Sequence, residues 1–416
     1  MTSAGMSTPR TGYRDAFAVR EFRALWLATI LSLVGDQLAR VALSVLVFRR
    51  TNSPFLTAAF YALSFLPWVV GGPLLSGLAD RYPRRTVMVT ADLARMALVG
   101  LMVFPLPLLA LAGLLFATEL LAPPFGAARS ATLAEVLPGD TYVQGSAVTN
   151  ITVQAGQVIG FAAGGALVAA LTPRGALAAD ALTFALSALV LRGGVRWRAA
   201  TREHKAERES LLGGLAVGAR LVFGRPALRG LVLLAWLCAF VVVPEGLAVP
   251  YAQVTHGGAA AAGLLLAAHP LGAVAGSLAV SRLLPDRRLR LMGGLAVLAC
   301  LPLLAFAARP GLGWALALLV ISGLGSAYNL PANAAFVGAV PAERRGQAFG
   351  LVQSGISVFQ GVALLIAGAA AQAASPHTVI ACAGGLGLAM ATWLALTSLR
   401  PDGALLHDLG STASVR

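Results

Sequence analysis

Twelve apolar runs of about twenty residues or more divide this chain, and the polar segments between them are mostly short. A run of that length matches the hydrocarbon thickness of a bilayer, about 30 Å, when it is helical. Inside lipid every backbone N–H and C=O must find its partner within the protein, which leaves helices or closed barrels. The runs are too long for strands and show no alternation of apolar and polar residues, so a lipid-facing barrel is excluded. The first six fall at about 24–48, 54–79, 86–105, 107–127, 144–171 and 174–194. The last six fall at about 228–250, 258–283, 288–308, 312–337, 347–373 and 376–398. Only 12% of the 416 residues are charged, about half the usual soluble share. The expectation is an all-α polytopic membrane protein with twelve transmembrane helices.

The basic residues decide how such a chain would sit. The net charge of +14 does not point to nucleic acid, because the arginines cluster between apolar runs and form no basic face interleaved with aromatics. With the N-terminus inside, 24 of the 31 Lys and Arg fall in inside segments. Four fall outside, Arg49, Arg50, Arg174 and Arg309, and Arg40, Arg95 and Arg129 lie within or at the ends of spans. That asymmetry places both termini in the cytoplasm, with the protein in the cell (plasma) membrane. The first run is too long for a signal-peptide core and lacks an obvious small-residue cleavage site, so it is read as a retained span. Cys238, Cys300 and Cys382 lie in apolar runs with no CxxC pair, and no disulfide or metal site is expected.

The longest polar stretch, Arg192 to Ser210, splits the spans six and six. In "LLGGLAVGARLVFGRPALRG" after it, Leu211, Leu215 and Val222 recur at helical spacing. This reads as an interfacial helix or as the start of the seventh span. Two weak internal repeats share the division. "SGLADRYPRR" (Ser76–Arg85) corresponds to "GSLAVSRLLPDRR" (Gly276–Arg288) at an offset of 200, and "AARSATLAEVLP" (Ala127–Pro138) to "PANAAFVGAVP" (Pro331–Pro341) at 203. The expected organisation is a six-helix bundle over 1–194, a central cytoplasmic loop over 195–227, a second six-helix bundle over 228–398 and a tail over 399–416. Such a repeat implies a pseudo-two-fold axis along the membrane normal. A monomer suffices.

Charges inside the spans point to function, since each costs roughly 2.5–3.5 kcal/mol at the bilayer centre on insertion scales. They are Asp36, Arg40, Glu119, Asp180 and Glu245, with Asp92 and Arg95 nearer the end of the third run. Asp36 and Arg40 are four apart and share one helix face. Asp36 lies about 18 Å along its helix from Ala24, near the midplane. One reading makes Asp36 a proton carrier beside a fixed cation. The other makes Asp36 and Arg40 a self-neutralising pair. Glu119 and Glu245 are single acids that could face a cavity, and Glu245 follows Pro244, where a broken helix would free backbone carbonyls. Asp180 reads as a cap or a snorkelling acid near the outer surface, and His269 as a helix-interior histidine that could titrate. Trp68, Tyr61 and Phe65 line either the cavity or the lipid.

Three stretches resemble the major facilitator superfamily. "GLADRYPRRTVM" (Gly77–Met88) is similar to its loop motif between spans two and three; Leu78, Ala79, Asp80, Arg81, Arg84 and Arg85 match, while Ser76 and Pro83 stand where glycines belong. The resemblance implies a conformational latch made by Gly77, Asp80, Arg81, Arg84 and Arg85, with Asp80 facing the start of span eleven and Arg129 as a partner. Alternatively, the arginines only enforce topology. "GQVIGFAAGG" (Gly156–Gly165) resembles the superfamily's antiporter motif; Gly156, Gly160, Gly164 and Gly165 match and Phe161 replaces its proline. Glycines at this spacing also make a generic smooth packing stripe. "FRALWLATILSLVGDQLARVAL" (Phe22–Leu43), the Asp92/Arg95 pair, "ADALTF" (Ala179–Phe184) and "RGQAFGL" (Arg345–Leu351) resemble the macrolide-efflux and enterobactin-exporter branch. The implied fold is two pseudo-symmetric bundles, the major facilitator fold.

The expected activity is secondary transport by alternating access. The single lysine, Lys205, sits in "EHKAE", so there is no Walker A sequence and no basis for ATP drive. Neither HExxH nor GxSxG occurs, so an intramembrane enzyme is not expected, and no catalytic residue or cofactor is assigned. Protons are the expected coupling ion, through Asp36, Arg40, Glu119 and Glu245. The expected partners are a small-molecule substrate, protons and the bilayer. Efflux of amphipathic molecules (drug, macrolide or siderophore-like) is the leading reading. A facilitator or importer of another solute, and a transport-dead sensor or scaffold, are the alternatives.

Overall fold

In the computed structural model the described residues are 13–67, 71, 75, 78–199, 219–341 and 345–397. Among them the backbone is helical through every span, with no strand. A short helix, Tyr13–Ala18, precedes α1 (Arg20–Thr51). Next come α2, which begins as Pro54–Leu63 and ends as Leu78–Arg81, and α3 (Arg84–Met102). α4 (Leu108–Val136), α5 (Asp140–Ala170) and α6 (Pro173–Gly194) complete the first half. The second half holds α7, in pieces from Pro226–Trp236 to Ala248–Val254, α8 (Gly258–Ser281) and α9 (Pro285–Leu304). It continues with α10 (Leu312–Ala339), α11 (Arg345–Ala373) and α12 (Pro376–Thr397).

Ten of these are long and apolar enough to cross a membrane. The other two are compatible with twelve for visible reasons. α3 carries Arg84, Arg85, Asp92 and Arg95, and α2 is described only in part. α4 runs nine residues past the expected 127. "AARSATLAE" ends the apolar run but consists mostly of helix-compatible residues, so polarity changes before the backbone does. Arg129 therefore lies two turns inside α4 and not at its end. The expected interfacial helix falls mostly on 200–218, and the tail on 399–416, outside the described residues; 219–223 is helical and Gly224 and Arg225 separate it from α7.

Turns are tight where local chemistry permits. Asn52 takes a left-handed conformation (φ 50°) and its N–H bonds the Phe48 carbonyl, closing α1. Ser53 then caps α2, its Oγ accepting from the Leu56 N–H at 3.2 Å, with Pro54 in the first turn. α7 breaks at Leu237, Val242 and Leu247, around Pro244.

The helix packing repeats itself. α3 packs on α6 and α4 as α9 packs on α12 and α10, and α1 packs on α5 as α7 packs on α11. Across the middle, α2 meets α11 and α8 meets α5, which are equivalent pairs under the same two-fold. The buried apolar side chains are distributed unequally along the axis. On the side opposite the start of α1, here the far side, one cluster runs through both halves, from Leu38–Val47 of α1 to Val242–Ala252 of α7 and Ala259–Ala268 of α8. Toward the side bearing the start of α1, the near side, the core separates. Leu228, Ala299, Phe336 and Leu394 belong to a cluster within the second half, while Leu25, Met88, Phe125 and Leu191 belong to one within the first. The bundles are joined at the far side and have separate cores at the near side.

Candidate transport cavity

Asp36 and Arg40 point to different partners, so the alternative of a self-neutralising pair on α1 does not hold. The four-residue spacing puts both on one face of α1, but a nearer cation reaches Asp36 from another helix. Arg95 of α3 places Nη2 2.6 Å from Asp36 Oδ1, donates from Nη1 to Ser32 Oγ at 3.0 Å, and lays its guanidinium 4.3 Å from the centre of the Phe184 ring. Arg95 is 1% exposed. Such a guanidinium needs a carboxylate and a fork of acceptors to be tolerated. Arg40 turns instead toward α4, with Nη2 3.6 Å from Glu119 Oε1 and Nη1 donating to Gln37 Oε1 at 3.5 Å.

Arg95 is the residue that spacing undervalued. Its signal was present, since an arginine in the third span requires an acid somewhere, but spacing names only partners on its own helix. Asp92, one turn earlier, is fully buried and accepts from Ser187 Oγ at 2.5 Å. Asp180 is neither a cap nor a snorkelling acid. It is buried against α1, where Gly35 leaves room for it; a Cβ on Gly35 would collide with both Asp180 and Thr183.

The second half contributes Glu245 from the broken stretch of α7. The Tyr61 hydroxyl of α2 donates to Glu245 Oε2 at 2.7 Å, so this acid touches the first half directly. His269 of α8 stands behind it, with Nδ1 3.9 Å from Glu245 Oε1 and Nε2 3.0 Å from Ser326 Oγ. Tyr61 therefore faces the interior. Tyr61→Phe deletes one hydrogen bond to a carboxyl, worth roughly 0.5–1.5 kcal/mol. We expect it to leave folding intact and to shift spin-label distances between α2 and α7 toward separation. Unchanged distances would remove the bond from the far-side seal.

Cavities connect these groups. One of about 300 Å³ lies between the halves and is lined by Arg40, Tyr61, Gln157, Glu245, His269 and Ser326 among others. Arg40 and Gln157 also line a second, of about 260 Å³, with Asp36, Arg95, Glu119 and Arg129. Thr29 and Arg129 continue into a third, also about 260 Å³, between α1, α4 and α5 toward the near side. Asp36, Arg40 and Glu119 line the second cavity, and Arg40 and Glu245 the first.

The expected latch is divided. Arg84 pairs with Glu135 at the end of α4 and donates to the Ala131 carbonyl at 3.2 Å. Both partners lie in the first half. Arg81 is exposed and Arg85 half-buried. Gly77 and the Asp80 side chain lie outside the described residues. Arg129 donates to Thr29 Oγ1 at 3.4 Å. In α5, Gly156, Gly160 and Gly164 form the expected smooth stripe against α1: added Cβ atoms would press on Leu33, on Gln37 and on Leu38 with Val41. Gly165 faces the other way. Its added Cβ would lie 2.7 Å from the Cα of Gly263 on α8.

Comparison with known proteins agrees with this architecture. A family profile, the Major Facilitator Superfamily, matches residues 25–337 and 246–411. The enterobactin exporter EntS of Shigella boydii serotype 4 is 29% identical over 316 residues, 73% of this chain and 67% of that one. An uncharacterized MFS-type transporter, YfiS of Bacillus subtilis, is 30% identical over 162 residues, and the chain spans 39% of its length and 39% of its own. Macrolide efflux protein A of Streptococcus pyogenes is 30% identical over 73 residues, 18% of each. Among solved structures, the nucleoside transporter NupG superposes with a TM-score of 0.75 at 13% identity, covering 90% of this chain and 99% of that one. A bacterial homolog of the lysosomal transporter Spinster, inward-facing and occupied, gives 0.67 at 15% identity, covering 98% of each. At such identities the structures show the shared fold alone.

Proposed function

The chain belongs to the major facilitator superfamily of transporters, and from that premise we propose that it couples inward proton movement to efflux of amphipathic small molecules. The direction is supported by the printed names of its relatives, an exporter and an efflux protein. The orientation follows from the arginine asymmetry, with the near side cytoplasmic in the plasma membrane. In that orientation the joined far side would be the outer seal, and the separate near-side cores support reading this as an inward-open conformation of a protein that works as a monomer. The two bundles, 1–194 and 228–398, would rock about the central cavity.

The observation that carries the proton reading is the contact of Glu245 with Tyr61. Asp36 and Glu119 each face an arginine, whereas Glu245 is met by a hydroxyl and an imidazole. Arg40 lines the same cavity but is not in direct contact with Glu245, and a carboxyl without a paired cation can enter the seal neutral at less desolvation cost than a charged one. Once there, it can pass its proton toward His269 and Ser326, which line the same cavity. Asp36, Arg95, Arg40 and Glu119 would hold the shape and charge of the binding space, and the Leu78–Arg85 segment with Gly77 would act as the cytoplasmic latch.

Glu245→Gln keeps size and the acceptor oxygen but cannot carry a proton. In everted vesicles we expect gradient-driven efflux to fall at least tenfold while substrate counterflow persists. Full gradient-driven efflux in this variant would remove Glu245 from the coupling role. Asp36→Asn separates the two acids in the same assay. It should slow both efflux and counterflow and leave the proton-to-substrate ratio unchanged.

A further inference from the structure

Arg129 is the cation left over in the cavity chain. Five charged side chains line the second cavity: Asp36, Arg40, Arg95, Glu119 and Arg129. Asp36 takes Arg95 and Glu119 takes Arg40. Among the described residues Arg129 has no acid partner, and its side-chain hydrogen bond there is the 3.4 Å one to Thr29 Oγ1. It is half-buried, at the point where the second and third cavities meet. In the third cavity Ser130, Tyr142, Ser146, Thr149 and Asn150 bring neutral hydrogen-bonding groups to the same space, and among the described side chains no carboxylate lines it. Phe22, Leu25, Trp26 and Leu133 complete its walls with apolar and aromatic surface.

A half-buried guanidinium without a counter-ion is costly unless an anion occupies its fork. The walls fix what else that anion must carry. We propose that Arg129 is an anion subsite of the transport pathway, and that the cargo is an amphipathic monoanion. Its carboxylate, sulfonate or phosphate would be held by Arg129 and the hydroxyls of α4 and α5, and its aromatic or apolar part would lie on Trp26 and Phe22. The proposal deepens the efflux reading by naming the charge class of the substrate, and it rests on that reading only for the word cargo. The subsite stands at the near-side entrance, separate from Glu245.

The test is equilibrium binding to the full-length protein in nanodiscs, read against empty discs. The probes are 8-anilinonaphthalene-1-sulfonate and N-phenyl-1-naphthylamine, which share one aromatic frame and differ by the sulfonate. We expect saturable binding that favours the sulfonate. Arg129→Gln should weaken sulfonate binding about tenfold, equivalent to about 1.4 kcal/mol, with the neutral probe unchanged, and Arg129→Lys should recover part of the loss. Equal loss of both probes, or loss of neither, overturns the subsite. Asp80→Asn is compared in the wild-type and Arg129→Gln backgrounds: a rise in sulfonate affinity that needs Arg129 would show that Asp80 already neutralises it and would overturn the subsite as well, whereas an equal change in both backgrounds is the latch alone and leaves Arg129 open to the anion. Discs containing phosphatidylglycerol distinguish the source of the anion. Arg129-dependent displacement of the sulfonate by that lipid would assign the site to a headgroup and overturn the cargo reading. Because binding is read without a proton gradient, failure of proton coupling at Glu245 leaves this result standing.

Discussion

Gly263→Val should arrest the transport cycle. A Cβ on Gly263 would lie 2.5 Å from the Cα of Gly165 and 2.6 Å from the Phe161 carbonyl oxygen. Both obstacles are backbone, so no rotamer change relieves them, and α5 and α8 must move apart. Overpacking typically costs about 1–3 kcal/mol. Here it falls entirely on the state in which the far side is closed, so the upper end corresponds to a shift of roughly a hundredfold between conformers. We expect an intact, membrane-inserted protein whose far-side cysteine probes become accessible and whose efflux falls to background. The control is Gly100→Ala, where an added Cβ meets nothing within 4 Å. Wild-type efflux by Gly263→Val would show that the two helices do not approach this closely during turnover.

Arg95→Met should be the most destabilising single substitution in the first bundle. It removes the cation that Asp36 contacts at 2.6 Å and takes a neighbouring positive charge away from the fully buried Asp92, whose hydrogen bond is to the Ser187 hydroxyl. Removing one member of a buried ion pair costs roughly 3–5 kcal/mol. Asp36 keeps contact with the cavity, its side chain being 23% exposed, so the lower end applies. The measurement is thermal unfolding in detergent for Arg95→Met, Asp36→Asn and the double variant. The double should be more stable than Arg95→Met alone, with a coupling energy above about 1 kcal/mol. Additive losses would mean that the pair is held apart by solvent.

The all-helical character was legible because lipid leaves the backbone so few options, and the ten described helices long and apolar enough to cross a membrane fall on ten of the twelve expected runs. Apolar length translates almost directly into helix, and Pro244 marked the break in α7 before any coordinates. The run 86–105 was legible as helix from its apolar length, and the charges of α3 keep it out of the helices apolar enough to cross a membrane. The partners of the charges were not legible. Spacing reports which residues share a face of one helix, and Asp36 with Arg40 satisfied that condition, yet the tertiary contact with Arg95 overrode it. Tyr61 and His269 remained ambiguous for a related reason. In a span, apolar and aromatic residues face lipid and interior alike, so no periodicity separates them. The glycine motif of α5 was readable as a stripe, but only packing shows that its last glycine meets the opposite bundle. The end of α4 was misplaced because hydropathy reports where lipid stops and not where the helix does.

The close approach of Gly165 to Gly263 has a mechanical consequence. A seal made of interlocked side chains must be unpicked, one rotamer after another, before it opens. Two bare stretches of helix have nothing to unpick. At this crossing the far-side closure can part and re-form as a sliding of smooth surfaces, so the resistance is left to the Tyr61–Glu245 bond and to water entering the shared apolar core.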